Sequence, residues 1–316
     1  MSSQRAIPVA GDLGEEGAGV ILSLQEVWFE YAKRPFVFVR PGGNFGDYLI
    51  YRGAEKLAIE MELRFRTLNH EEFMGARLDP EEVLYFHGGG GFNSWWSGRP
   101  IRAFQRAARV HRGVIIVGPQ TYQADQEFLR RIFNDTLQVA RAQRVMLFAR
   151  ELVSFRVVSE ALGDGVELGV NHDTALYLSR ADVLQRPVEP RYRLEAIRTD
   201  KEAVPISGGD GQAVRLDPAA YCRDFAHWIS VHARAKAIVT NRLHSAMAGT
   251  ILEIPTTLLA NNYHKNRAVW EFSLRDRGVQ WADTLPQSQR WGLGARLLHR
   301  PEMTSWRYRL YRQRGI

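Results

Sequence analysis

Four short apolar runs in the first half of the chain each end at a cluster of glycine, proline or arginine, and this recurrence constrains the fold more than any other feature. Phe36-Val37-Phe38-Val39 leads into Pro41-Gly42-Gly43, and Val83-Leu84-Tyr85-Phe86 into Gly88 to Gly91. Val114-Ile115-Ile116-Val117 leads into Gly118-Pro119, and Val145-Met146-Leu147-Phe148 into Arg150. After the first run, Tyr48 to Met61 carries Leu49, Ala54, Leu57 and Ala58 at helical spacing. A strand with no polar face is buried on both sides, and strand, glycine turn, helix is the repeating unit of a parallel sheet. A polar, proline-marked stretch, Ser179 to Pro190, interrupts the pattern. It resumes with a strand at Leu194–Ile197, a helix from Pro218 to Ala235, strands at Ala237–Thr240 and Pro255–Leu259, and a helix near Asn266 to Arg277. The expected architecture is α/β, with two Rossmann-like domains facing a cleft. The predicted boundaries are 1–185, 186–289 and a basic aromatic tail, 290–316.

The 316 residues, 45% of them apolar, suffice for two cores. A single cysteine, Cys222, excludes an internal disulfide and fits a reducing compartment. No apolar h-region follows Ser2-Ser3-Gln4-Arg5, and no uninterrupted apolar run reaches the roughly 18 residues of a membrane span, so a cytoplasmic location is expected. The net charge of +7 concentrates in the tail, where seven arginines from Arg290 to Arg314 face Glu302 alone. Trp291, Trp306, Tyr308 and Tyr311 interleave with them. That composition suits peripheral contact with the anionic inner membrane face, or equally a solvated helix that closes the fold. RNA would feel the same field, but no RNP, KH or zinc-knuckle pattern is present, and nucleic acid is not an expected partner. No Cys/His spacing of a metal site occurs, so neither a metal nor a cofactor is expected.

Polar clusters stand at the predicted strand ends, where parallel sheets bind ligands. Asn241-Arg242-Leu243-His244 lies where the Ala237–Thr240 strand turns into a predicted helix, Leu243 to Leu252, with Asn241 read as its N-cap. A helix start, an arginine fork and a histidine together suit an anion that must also receive a proton. In the first half, Asn44 and Asp47 precede a helix and either cap it or accept hydrogen bonds from sugar hydroxyls. Gly88 to Gly91 either form a tight turn or let a ligand approach the backbone, which makes Gly89 and Gly90 acceptor-site candidates. Trp95 and Trp96 can stack on a sugar or simply pack.

Asn44-Phe45-Gly46-Asp47, Gly88-Gly89-Gly90, Gly118-Pro119-Gln120, Arg150-Glu151 with Ser154, His172-Asp173, Arg242-Leu243-His244 and Lys265 resemble, in order and spacing, the polysaccharide pyruvyl transferase family, from about Phe36 to about Glu271. The resemblance implies a glycosyltransferase-B-like fold. It also implies transfer of an enolpyruvyl-derived unit from phosphoenolpyruvate to two hydroxyls of a sugar, giving a cyclic pyruvate ketal on an exopolysaccharide or other cell-surface glycan. It places Arg150, Arg242 and His244 at the donor site. The acceptor would be a sugar, expected as a lipid-linked oligosaccharide.

The chemistry asks for matching groups. A donor with a carboxylate and a phosphate calls for at least two cations, for which Arg150, Arg242 and Lys265 are the candidates. His244 is the candidate acid, protonating C3 or the leaving phosphate, and Asp47 the candidate base for the attacking hydroxyl. Two alternatives stay open. A nucleotide-sugar glycosyltransferase would share the fold, and a non-catalytic glycan-binding protein would result if these groups do not converge. His87-Gly88-Gly89-Gly90 looks like a lipase oxyanion loop, but no G-x-S-x-G elbow accompanies it.

Overall fold

Phe36 to Val39 has no polar side chain to leave in water, and the strand it forms, β1 (Phe36–Arg40), is buried on both faces. The same holds for β3 (Val83–Phe86) and β5 (Val114–Tyr122). With β2 (Phe65–Asn69), β4 (Gly89–Phe92), β6 (Arg144–Ala149) and β7 (Glu167–Val170) they make a sheet. This is a computed structural model, and it describes residues 22–96, 98–162, 166–206, 208–209 and 211–285. The tail predicted for 290–316 lies outside the described residues.

The chain divides into two compact units. The first comprises Met1–Gly42 and Leu57–Asp173, and the second Gly43–Lys56 and Thr174–Ile316. The expected boundary at 185/186 is therefore displaced to 173/174, and residues 43–56 join the second unit. The physical reason is packing. Thr174 donates its hydroxyl to the Ile50 carbonyl at 2.9 Å, and Leu49 is buried in the same core as Ala175 and Leu178. A Cβ on Gly53 would collide with the Thr174 carbonyl, so only glycine admits this approach.

In the first unit the strand order is β2-β1-β3-β5-β6-β7, all neighbours parallel, with β4 also beside β5. Alternate residues of the central strands, such as Val37, Val39, Leu84, Phe86, Ile115 and Val117, share one core layer with helix residues Phe104 and Phe133. Phe36, Phe38 and Tyr85 point the other way, around Trp28. Two expected glycine turns are strand instead. Gly89 to Phe92 extends as β4, and β5 continues through Gly118-Pro119 to Tyr122. The two corrections explain each other: beyond Val117 strand β3 has ended, and β4 takes its place at Gly89↔Gln120 and Phe92↔Tyr122.

The second unit repeats the plan without repeating the sequence. β8 (Tyr192–Ala196), β9 (Val214–Leu216), β10 (Ala235–Thr240), β11 (Thr256–Leu259) and β12 (Gln280–Ala282) lie in the order β12-β11-β10-β8-β9, all parallel. Its first strand, β8, has the second on one side and the third on the other, as β1 does. The predicted Pro218–Ala235 helix is two helices, Pro218–Tyr221 and Phe225–Ala233, because Asp224 takes the N-cap of the second and accepts the His227 N–H at 2.7 Å. The predicted Asn266–Arg277 helix begins at Lys265 and changes pitch twice, at Trp270 and at Arg275. The coarse architecture is thus α/β with a parallel sheet in each unit. Among the described residues no helix is long and apolar enough to cross a membrane.

Candidate functional site

In an open parallel sheet the crevice for ligand lies beyond the carboxyl ends of the strands, where the order reverses. In the second unit that point falls between β8 and β10, whose ends carry Arg198 and Arg242. The two ends are stitched together: Thr240 donates its hydroxyl to the Ala196 carbonyl at 2.6 Å, and Asn241 Oδ1 accepts the Arg198 N–H at 2.8 Å. Asn241 is therefore not the helix cap expected of it. The helix spans Leu243–Ile251 with Arg242 at the N-cap position, where no side chain caps it.

His244, in the first turn, faces Asp47, with Nδ1 3.5 Å from Oδ1. That is an ion-pair separation, longer than a good hydrogen bond. Since a carboxylate can only accept, it favours the tautomer with the proton on Nδ1 and makes Nε2 the working nitrogen. Asp47 is itself fixed, its Oδ2 accepting the Asn44 N–H at 2.7 Å while Asn44 Oδ1 accepts the Gly46 N–H at 2.8 Å. Asn44 and Asp47 thus shape the loop before the Asp47–Glu60 helix, and Asp47 in addition meets the histidine. A Cβ on Gly46 would stand 2.7 Å from His244 Cβ and 3.1 Å from its Nδ1. Gly46→Ala should therefore displace the imidazole from Asp47 and lower turnover more than it lowers the melting temperature. Parallel kinetics and thermal melts check this; equal activity in the variant would show that the loop gives way instead.

Behind the same turn, His232 is fully buried between the Trp228 carbonyl, 2.8 Å from Nδ1, and the Ser245 hydroxyl, 2.9 Å from Nε2. Burial pushes its imidazole down to about 4, so it is neutral at neutral pH. Nδ1–H then donates to the carbonyl and Nε2 accepts from Ser245, which pins the residue next to His244.

The cations predicted to grip a donor are all answered by carboxylates. Arg242 donates Nε and Nη2 to Asp217, the Nη2 bond at 2.6 Å, and Nη2 also to Asp200 Oδ2 at 2.9 Å. Burial works against its charge, and the two aspartates outweigh that and hold its pKa above the usual range. Lys265 Nζ pairs with Glu202. Arg198 donates Nη1 to Glu202 at 2.6 Å and Nε to Asp200 Oδ1 at 2.8 Å. Arg198, Arg242 and Lys265 against Asp200, Glu202 and Asp217 form a neutral network. Sequence reading missed four of its members; Arg198-Thr199-Asp200-Lys201-Glu202, a charged run directly after an apolar strand, marked three of them, and nothing comparable marked Asp217.

Arg150, Gly89 and Gly90 belong to the first unit, whereas Asn44, Asp47, Arg242, His244 and Lys265 belong to the second. The Arg150 side chain is 1% exposed. Its Nη1 donates to Asp173 at 2.7 Å and its Nε to the Thr121 hydroxyl at 2.8 Å. A guanidinium enclosed in this way ties three strand ends together. Gly89 is buried at φ +141°, and Gly90 is half-buried with its carbonyl accepting from Asn93. Among the described residues no group of three or more His, Cys, Asp or Glu is placed to hold a metal ion.

A family model for the polysaccharide pyruvyl transferases matches residues 44–263, more than two thirds of the chain. The chain belongs to the polysaccharide pyruvyl transferase family. The match begins at Asn44, takes in Asp47, Gly89, Gly90, Arg150, Arg242 and His244, and ends just before Lys265, inside the span expected from sequence. A search of curated proteins finds no match. Among solved structures, a functionally uncharacterized protein from Klebsiella pneumoniae subsp. pneumoniae NTUH-K2044 is similar, with 19% identity and a TM-score of 0.63, over 83% of this pyruvyl transferase family chain and 100% of that one. At that identity the likeness speaks for the fold.

Proposed function

We propose that the protein transfers the pyruvyl unit of phosphoenolpyruvate to two hydroxyls of a cell-surface sugar, forming a cyclic ketal and releasing phosphate. The observation that carries this reading is the His244–Asp47 pair at a strand-to-helix turn that also carries Arg242, inside the span of the family match. His244 delivers a proton from Nε2 to C3 of the donor, leaving cationic character at C2. One sugar oxygen bonds to C2, the C2–O bond to phosphate breaks, and the second sugar oxygen closes the ketal. Of the two hydroxyl protons, one restores His244 and the other leaves with phosphate.

Asp47 holds the imidazole in register rather than acting as a free base, since both its oxygens already face a partner. Arg242 and Lys265 form the donor side, and Asn44, Gly89 and Gly90 are assigned to the acceptor. The glycosyltransferase-B-like arrangement, a cytoplasmic location and a lipid-linked acceptor met at the inner membrane face through the tail complete the reading, with no cofactor. Phosphate release from phosphoenolpyruvate and a lipid-linked repeat unit, with a new ketal methyl signal by NMR, is the expected result. Phosphate release without that signal, or neither, rejects the reading. Phosphoenolpyruvate at millimolar concentration should also raise the melting temperature, by mass action on the folded state. A flat melting curve series would count against donor binding.

A further inference from the structure

Arg198 and Arg242 arrive at one point from different strands, and a single oxygen holds them together. Asp200 Oδ2 accepts from Arg198 Nη2 at 3.1 Å and from Arg242 Nη2 at 2.9 Å. Two buried guanidinium groups would repel one another without an anionic oxygen there. The three carboxylates of the network are not equivalent. The side chains of Asp217 and Glu202 are 4% exposed, whereas that of Asp200 is 23% exposed. Asp217 is further committed, with Thr199 donating its N–H and hydroxyl to Oδ2 at 2.9 and 3.0 Å, and Ala219 its N–H to Oδ1 at 3.1 Å. Asp200 lies in the loop after β8 and, among the described residues, takes on its side chain only the two arginines and the Glu202 N–H, the latter at 3.1 Å. The bridge also stands at the reversal of strand order between β8 and β10, where such sheets take ligand.

We propose that Arg198 and Arg242 form a two-guanidinium clamp for one oxyanion of the donor, and that the Asp200 carboxylate occupies this clamp in the unliganded protein and is displaced when the donor binds. The exchange replaces one anion by another, so the buried cations are never left uncompensated. Asp217 stays in place and keeps Arg242 oriented, while Glu202 does the same for Arg198 and Lys265. Burial pushes the Asp200 carboxyl up, but the Arg198 hydrogen bond and the charges of Arg242 and Arg198 outweigh it and leave it lowered to about 2. The competitor is thus charged at every working pH, and donor binding is weaker than the two arginines alone would give. This deepens the pyruvyl-transfer reading, on which it rests for the identity of the ligand, by adding Arg198 to the donor site and giving Asp200 a role.

Calorimetric titration of the full chain tests it with three ligands: inorganic phosphate, pyruvate and phosphoenolpyruvate. Asp200→Asn and Asp200→Ala should each bind the oxyanion about tenfold more tightly than the unaltered protein, and Arg198→Gln about tenfold more weakly. Tightening for phosphate alone assigns the clamp to the phosphoryl group, and tightening for pyruvate alone assigns it to the carboxylate. Unchanged or weaker binding of all three ligands in folded Asp200 variants overturns the proposal. Should a variant fail to fold, the unaltered protein still decides: the Nε–H NMR signals of Arg198 and Arg242 should shift together on titration, and an absence of shift at saturating ligand overturns the clamp. Turnover is read separately. Failure to form a ketal with any acceptor ends the pyruvyl-transfer reading, whereas the phosphate and pyruvate titrations judge the clamp alone.

Discussion

His244→Gln lowers turnover with phosphoenolpyruvate by about 10²–10⁴, the range typical of a positioned general acid, and changes donor affinity far less. Glutamine fills much of the same space and keeps a hydrogen-bonding amide, but it cannot supply a proton near neutral pH. The loss should appear in kcat and in kcat/KM alike, as expected for an interaction made in the transition state. Asp47→Asn is the companion variant. It keeps the Asn44 N–H bond through its carbonyl and removes the carboxylate opposite Nδ1, so it should lower kcat and cost less than the histidine does. If His244→Gln turns over at the rate of the unaltered protein, the acid is elsewhere, and the Asp47 pair is a structural contact.

Asp173→Ala should destabilise the first unit by about 3–5 kcal/mol, because it strands a buried guanidinium. The Arg150 and Asp173 side chains are 1% and 0% exposed, so water cannot take over the missing bond. Chemical denaturation of the single variant and of a double variant, Arg150→Met with Asp173→Leu, measures this. The double variant should recover most of the loss, since an apolar pair of similar volume needs no compensation. Its activity separates two roles for Arg150. Recovery of turnover together with stability makes Arg150 a strut, whereas recovered stability with turnover still lost would return it to the donor site.

The legible part of the fold was the interior of each sheet. β1, β3, β5, β6, β8, β10 and β11 were all visible as apolar runs, since a strand flanked on both sides must be apolar on both faces. Five strands were not: β4, whose glycines read as a turn, and β2, β7, β9 and β12, the two outermost of each sheet. Phe65-Arg66-Thr67-Leu68-Asn69 has no fully buried residue, with Arg66 and Asn69 exposed, and Val214-Arg215-Leu216 is three residues long, so neither offers a run to read. At the site, the R-L-H triplet was readable because a strand end and a helix start coincide there. The partners of Arg242 were not, because Asp200 and Asp217 reach it from 42 and 25 positions away, and pairing at that separation leaves no periodic trace.

Neither half of the protein is a continuous stretch of chain. Gly43–Lys56 is translated early, yet the core that covers Leu49 is made from residues after Thr174. During synthesis this segment leaves the ribosome with its apolar face unmatched and stays so until the residues after Thr174 have followed. A gene cut after Asp173 would therefore yield two pieces that each lack something: an N-terminal product carrying an uncovered helical turn, and a C-terminal product missing the wall that brings Asp47 to His244.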